Sequence, residues 1–311
     1  MFYGNSLDFQ YDKDLKVEPP QIINDSSILN YWLSVVDVNI EDLLWQLENY
    51  KDIMNLNGWA YFLLTKDLSS SIYPDSEFGA ELLHWVLLMR SGYNAKIGYS
   101  NNDVCVLFAS ANMVYSNKFL MLDGIAYYLS KDLGDDQIRT YSKQYPGNTR
   151  MINFTIDHPL NFAADKQSST FQFAYQQKDY PITIDFNKNV VDFYNDYPQV
   201  DIDVYFNAAV SPICKQSILI GFTSYISKMT ENEALDFLLK FSQSVFDYSR
   251  DEVQFGKEKY LFPEETFNYP ASDCEDRSVL FAYLVRELLQ LEVIGLVYPG
   301  HVSTAVSTSH K

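Results

Sequence analysis

Cys274 and His301 are the two residues whose types and spacing best fit covalent chemistry. A cysteine thiolate is a nucleophile, and a histidine within hydrogen-bond reach can take the thiol proton and later return it to a leaving group. Cys274 follows the turn-like segment Tyr269-Pro-Ala-Ser-Asp273 and opens a predicted helix that runs to Leu291. At a helix N-terminus the unpaired backbone N–H groups and the helix dipole favour a thiolate over a thiol. His301 comes after Pro299-Gly300, at the start of a predicted strand, and the path from helix to strand to turn brings its imidazole back toward the helix start. Asp273, Glu275 and Asp276 flank the sulfur and oppose its ionisation unless Arg277 or His301 offsets them. A plainer reading makes Cys274 a small buried hydrophobe and His301 a surface or hydrogen-bonded imidazole.

The elements that must position this pair alternate between helical and strand patterns. From Asp25 to Leu68 the pattern is helical, with Asn24-Asp25-Ser26-Ser27 as a cap and Ile40, Leu43, Leu44, Leu47, Tyr50 and Ile53 recurring at three and four. A helix over Glu77–Ser91 follows, then strands at Ala95–Tyr99, Val104–Ala109 and Phe119–Tyr128, the last with a hairpin turn at Leu122-Asp-Gly-Ile125. Four segments, starting at Met151, Phe171, Ile182 and Val190, alternate with period two between Pro146, Pro159, Pro181 and Pro198, and predict a β-rich module. Helical spacing returns over Ile218–Met229 and Glu231–Tyr248, and the strand Val293–Tyr298 closes the series. The expected class is α+β, with domains at 1–139, 140–209 and 210–311.

Two stretches look like copies of each other. Phe78 to Arg90 aligns with Cys274 to Arg286, and Lys96-Ile-Gly-Tyr99 falls on Val293-Ile-Gly-Leu296 after a one-residue gap. On this alignment Phe78 stands at the Cys274 position and Val104 at the His301 position, so a first copy lacks both reactive groups.

The words around the pair are more specific than its spacing. The run Asp273-Cys-Glu-Asp-Arg-Ser-Val-Leu-Phe-Ala-Tyr-Leu-Val-Arg286, followed by Glu292-Val-Ile-Gly-Leu-Val-Tyr-Pro-Gly-His-Val-Ser-Thr-Ala-Val306, resembles the core of the transglutaminase-like superfamily. The preceding Phe246-Asp-Tyr248 and Lys259-Tyr-Leu-Phe-Pro-Glu-Glu-Thr-Phe267 resemble the approach to that core in large Bacteroidetes-type members. The resemblance covers residues 217–306. It implies a papain-like fold, Cys274 as nucleophile, His301 as base, and peptide or isopeptide substrates outside the cytoplasm. It also implies an Asp on the next strand to orient the histidine, which no residue matches. The expectation is therefore two papain-like cores, the first degenerate and the second ending before its last catalytic residue, with impaired activity. The alternative is a non-enzymatic scaffold that holds a protein or glycan ligand.

Composition narrows the partners. The 311 residues carry 23 Lys and Arg against 41 Asp and Glu, a net charge of −18, which repels the phosphates of nucleic acid and anionic lipid headgroups. No run is long and apolar enough to span a bilayer, and the N-terminus lacks the basic and apolar stretches of a secretory signal. Three cysteines give neither a disulfide framework nor metal-ligand spacing with the 4 histidines, and no cofactor is expected. Cys105 and His84 read as core packing and Cys214 receives no role. The aromatic residues from Tyr175 to Tyr205 fit either a ligand cleft or the two faces of a half-buried sheet, and Asp132-Leu-Gly-Asp-Asp136 and Glu41-Asp42 read as solvated faces.

Overall fold

In a computed structural model, which describes residues 1–100, 103–134, 137–141 and 147–308, helices begin where short polar side chains meet periodic apolar runs. Asp135, Asp136, Pro146 and the tail 309–311 lie outside the described residues. The chain is α+β, and its internal contacts divide it into two units, Met1–Phe154 and Thr155–Lys311. The stretch anticipated as a separate module, 140–209, is split by that division: its hairpin and short helices belong to the second unit.

In the first unit, α1 (Asp25–Val36) starts with a capping box between Asn24 and Ser27, as the sequence predicts. Next come α2 (Glu41–Ile53), α3 (Gly58–Ile72) and α4 (Glu77–Arg90). Asn57 caps α3 and Ser76 caps α4, each side chain accepting a backbone N–H three residues on. Every residue of α4 from Gly79 to Met89 is buried, so this helix is the centre of the unit rather than a surface helix. It lies against a sheet of order β3-β4-β2-β1-β5, built from β1 (Ala95–Ser100), β2 (Asp103–Ala109), β3 (Phe119–Leu122), β4 (Ile125–Leu129) and β5 (Arg139–Thr140). The β3–β4 turn has both Asp123 (φ 51°) and Gly124 (φ 80°) in the left-handed region, the conformation that an Asp-Gly hairpin turn selects. Buried Glu81 of α4 accepts the Val106 amide of β2 (3.0 Å) and the Ser130 hydroxyl (3.4 Å), tying helix to sheet.

The second unit opens with the hairpin β6 (Lys166–Tyr175) and β7 (Lys178–Asn187). Its alternation is the one read from the sequence: Phe171, Phe173, Tyr175, Ile182, Ile184 and Phe186 are buried. The segment at Val190 departs from expectation. It forms a helix, α5 (Lys188–Asn195), because Val190, Val191, Phe193 and Tyr194 also fit three-and-four spacing and Asn187 caps the turn. The Met151 segment is not a strand of the sheet either; it runs extended, with single bridges from Arg150 to Tyr93 and from Ile152 to Ser110.

Helices α6 (Ile202–Phe206), α7 (Pro212–Ile226) and α8 (Glu231–Ser244) follow. Then come β8 (Asp247–Tyr248), α9 (Asp251–Gln254), α10 (Pro263–Thr266) and β9 (Ala271–Ser272), which pairs in parallel with β8. The unit ends in α11 (Cys274–Leu289), β10 (Val293–Tyr298) and β11 (His301–Val306). Glu264 of α10 is fully buried and accepts Asn187 N (2.8 Å), Ser211 N (2.6 Å) and Ser211 Oγ (2.6 Å), which joins the end of the hairpin to the cap of α7.

Two glycines test this packing with opposite signs. A Cβ on Gly58 would lie 2.4 Å from Asn153 N and 2.9 Å from Asn153 O, a backbone that cannot yield cheaply. G58A should therefore destabilise the first unit by about 1–3 kcal/mol. A Cβ on Gly221, inside α7, meets Ile182 and Ile184 at an ordinary 3.5 Å. G221A should raise stability by about 0.5–1 kcal/mol through helix propensity. Urea midpoints of the two variants check both.

Candidate active site

Cys274 is the first residue of α11 and His301 the first of β11, as the sequence predicts. Pro299 and Gly300 (φ 68°) make the two-residue turn between β10 and β11, and Tyr298 pairs with His301 across it. Both reactive side chains line one cleft of about 710 Å³, together with Tyr248, Arg277, Ser278 and Thr304. In an antiparallel pair alternate residues turn their N–H groups away from the partner strand. The amide of Val302, next to His301, reaches the Cys274 sulfur in this way and favours its charged form.

Helix and hairpin are clamped by a residue the sequence reading passed over. Ser278 Oγ lies 2.8 Å from Cys274 O, one helical turn back, and 3.1 Å from Val302 O on β11. A small hydroxyl four residues after the cysteine is the only sequence signal for it. Arg277 does not offset the acidic neighbours. Its guanidinium donates to Ser272 Oγ (3.1 Å), Gln243 O (3.0 Å) and Phe246 O (2.8 Å) and lies over the Tyr248 ring, holding the approach to α11 instead.

The helix N-terminus is not the open anion site that the sequence suggests. Asp273 is its N-cap and accepts Glu275 N (3.2 Å) and Asp276 N (3.4 Å), so its carboxylate occupies the N–H groups that would otherwise favour a thiolate. Asp276 completes the capping box by accepting Asp273 N (3.3 Å) and also takes Leu261 N (2.8 Å). The Cys274 thiol itself donates to Glu275 Oε2 at 2.9 Å. Burial, then this hydrogen bond, then the Glu275 and Asp273 charges push the thiol up to about 11, against the pull of the Val302 amide.

The fold adds Asp251 of α9 to this end of the helix. Oxygens of Asp251, Asp273 and Asp276 lie within 4.8 Å of one another, and the three are buried, so theirs is the oxygen set among the described residues that could face a cation. Their mutual repulsion and burial instead favour shared protons: Asp251 is pushed up to about 6, Asp273 to about 7, and Asp276 well above the usual carboxylate range, burial being the first cause each time.

The remaining residues singled out from the sequence settle into packing. Cys105 is fully buried among Leu107, Tyr127 and Leu129, its thiol pushed up to about 12 mainly by burial, and Cys214 is fully buried under the cap of α7. His84 is enclosed edge-on to the Phe62 ring at 4.4 Å, and burial lowers it to about 3, a neutral imidazole. Rings of the Tyr175–Tyr205 stretch that could have lined a ligand cleft, including Tyr175, Phe193, Tyr194 and Tyr205, are core residues. Among the described residues no helix is long and apolar enough to cross a membrane. Comparison with protein-family models, with curated proteins and with solved structures returns no match.

The carboxyl cluster predicts a pH dependence. Unfolding lets Asp251 and Asp273 fall back to about 3.9, so between that value and about 7 the folded chain holds protons that the unfolded chain has released. Stability should therefore fall as pH rises from 5 to 8. D251N keeps the acceptor for Lys259 N, removes one charge, and should flatten that fall, as urea midpoints at the two pH values would show.

Proposed function

We propose that residues 217–306 form a transglutaminase-like core of papain-like design that performs acyl transfer or peptide-bond cleavage through Cys274 and His301. The observation that carries this reading is the shared cleft, where the cysteine at a helix start and the histidine at a strand start stand on two elements joined by Ser278. In the reaction, the Cys274 thiol gives its proton to the His301 imidazole and the sulfur attacks a substrate carbonyl carbon. The tetrahedral intermediate collapses to a thioester as the leaving amine takes the proton from His301. Water or an acceptor amine then releases the acyl group and regenerates the thiol. Substrates are protein or peptide chains, with either a peptide or an isopeptide bond at the reacting carbon. No residue of this chain is assigned the role of orienting carboxylate.

The first unit, on this reading, is a degenerate copy of the same helix and hairpin. Element by element, Glu77 opens α4 as Cys274 opens α11, and Asp103 opens β2 as His301 opens β11, which moves each correspondence one residue from the sequence alignment. Lys131 bridges Glu77 (2.6 Å) and Asp103 (2.7 Å), so in the first unit these two positions lie within reach of a single ammonium. That proximity supports the facing of Cys274 and His301.

A second reading, a scaffold without chemistry, is favoured by one observation: the thiol pushed up to about 11 beside Glu275. The two separate in acyl transfer from p-nitrophenyl acetate. On the catalytic reading the wild type forms a thioester at Cys274 by mass spectrometry, C274A forms none, and H301A is slower by about 10²–10⁴-fold. Equal labelling of wild type and C274A, or no effect of H301A, sinks it.

A further inference from the structure

We propose that Glu275 is a brake on Cys274: a positioning residue that holds the sulfur protonated and turned toward itself until the site is engaged. This rests on Cys274 being the nucleophile, and it adds the regulation of that site. The geometry has three parts. Glu275 Oε2 stands 2.9 Å from Cys274 Sγ, where a carboxylate can only accept, so the bond exists with the thiol and is lost with the thiolate. The Val302 amide faces the same sulfur from β11 and can only donate, so it serves the thiolate. The sulfur thus sits between an acceptor that favours one protonation state and a donor that favours the other, at the wall of a cleft that His301 also lines.

The surrounding charges do not release the brake. On α11, Asp273 is tied up as the cap, Asp276 is buried in the capping box and Arg277 is spent on Ser272 and on two carbonyls of the preceding chain. Asp251 and Glu252 of α9 and Glu258 beyond it add negative charge to the same end of the helix. Across the cleft stand Lys240 of α8, Tyr248 of β8 and His301 of β11. Of these only His301 can take the thiol proton and keep it near the sulfur as a thiolate–imidazolium pair. That transfer breaks the bond to Glu275 and leaves the charge of the site unchanged.

Neutral replacements of Glu275 remove its effect, and Gln can reverse it. In E275Q a side-chain amide offers a donor to the thiolate in place of a carboxylate charge, and E275A removes both the charge and the acceptor. The test is the pH profile of iodoacetamide alkylation at Cys274, followed by mass spectrometry of the Cys274 peptide in the full chain, for wild type, E275Q, E275A and H301A. The expected result is a midpoint lower by about one pH unit or more in E275Q, and in the same direction in E275A. At pH 8 this makes alkylation about tenfold faster. A looser helix start would also lower the midpoint by exposing the sulfur, because burial is the first cause of the raised thiol, so urea midpoints are measured beside the profile. A lowered alkylation midpoint at an unchanged urea midpoint marks a brake, and one that appears only with a lowered urea midpoint marks damage to the fold and overturns the proposal. Unchanged midpoints in both Glu275 variants overturn the proposal even if H301A slows acyl transfer. An H301A variant with wild-type acyl transfer overturns the Cys-His reading instead, whatever Glu275 does.

Discussion

The start of α11 must satisfy its own free backbone N–H groups, and it does so with carboxylates. Asp273 and Asp276 cap one another's segments, Asp276 reaches back to Leu261, and Asp251 joins them from α9. This ties together stretches of chain that are far apart in sequence and fixes where the helix, the strand β9 before it and the hairpin after it begin. The same choice bears on the cysteine beside it. A cap made of Ser or Thr would have left the helix end positive beside Cys274, whereas the Asp273 charge adds to burial and to the Glu275 hydrogen bond, which come first in raising the thiol. One capping arrangement thus fixes the fold of this corner and contributes to the resting state of its cysteine.

The start of α4 in the first unit is built differently. There Ser76 caps α4, and the two acidic residues Glu77 and Asp103 meet on Lys131 as a surface ion-pair network. Lys131 lies just beyond β4, the strand that pairs with β2, so its closing of the gap depends on the wider sheet of that unit. Where the first unit has a cation between its helix start and its hairpin, the second has a cleft. The difference lies in side chains, and it separates a corner closed by an ion pair from one that is open.

How legible all this was depended on the range of the interaction. Caps and periodicities are local, so Asn24, the Asp123-Gly124 turn, the buried face of β6 and β7 and the starts of α11 and β11 could be read directly. Val190–Tyr194 misled because a short run of large apolar residues fits two periods, and only packing decides between them. The acidity around Cys274 was visible in Asp273, Glu275 and Asp276, but its consequence was not. Whether a carboxylate beside a cysteine caps the helix, accepts the thiol or repels the thiolate depends on rotamers, and here Asp273 and Glu275 divide those roles. Asp251 lies more than twenty residues upstream and carried no signal. The sequence alignment sets Phe78 against Cys274 and Val104 against His301, whereas the element starts are Glu77 and Asp103, one residue earlier, because helix similarity in sequence does not register the first turn.

The position of His301 is the less secured half of the pair, for a physical reason. A two-stranded hairpin has little stability of its own, and β10 and β11 pair only with each other among the described residues. On β10, Ile294, Val297 and Tyr298 are more than half exposed, while β1 of the first unit is buried along its whole length. What fixes β10 and β11 is one face: Val293 and Val302 buried on the side of α11, the Ser278 bond to Val302 O, and Gly295 laid against the Phe206 ring so closely that a Cβ would come to 2.7 Å. Cys274 is thus held by the capped helix and His301 by a hairpin leaning on that helix. The placing of the two residues relative to each other depends on Val302, which is buried through its side chain, bonded through its carbonyl to Ser278, and turned through its amide to the sulfur. A single residue beside the histidine therefore couples the packing of the hairpin to the charge state of the cysteine.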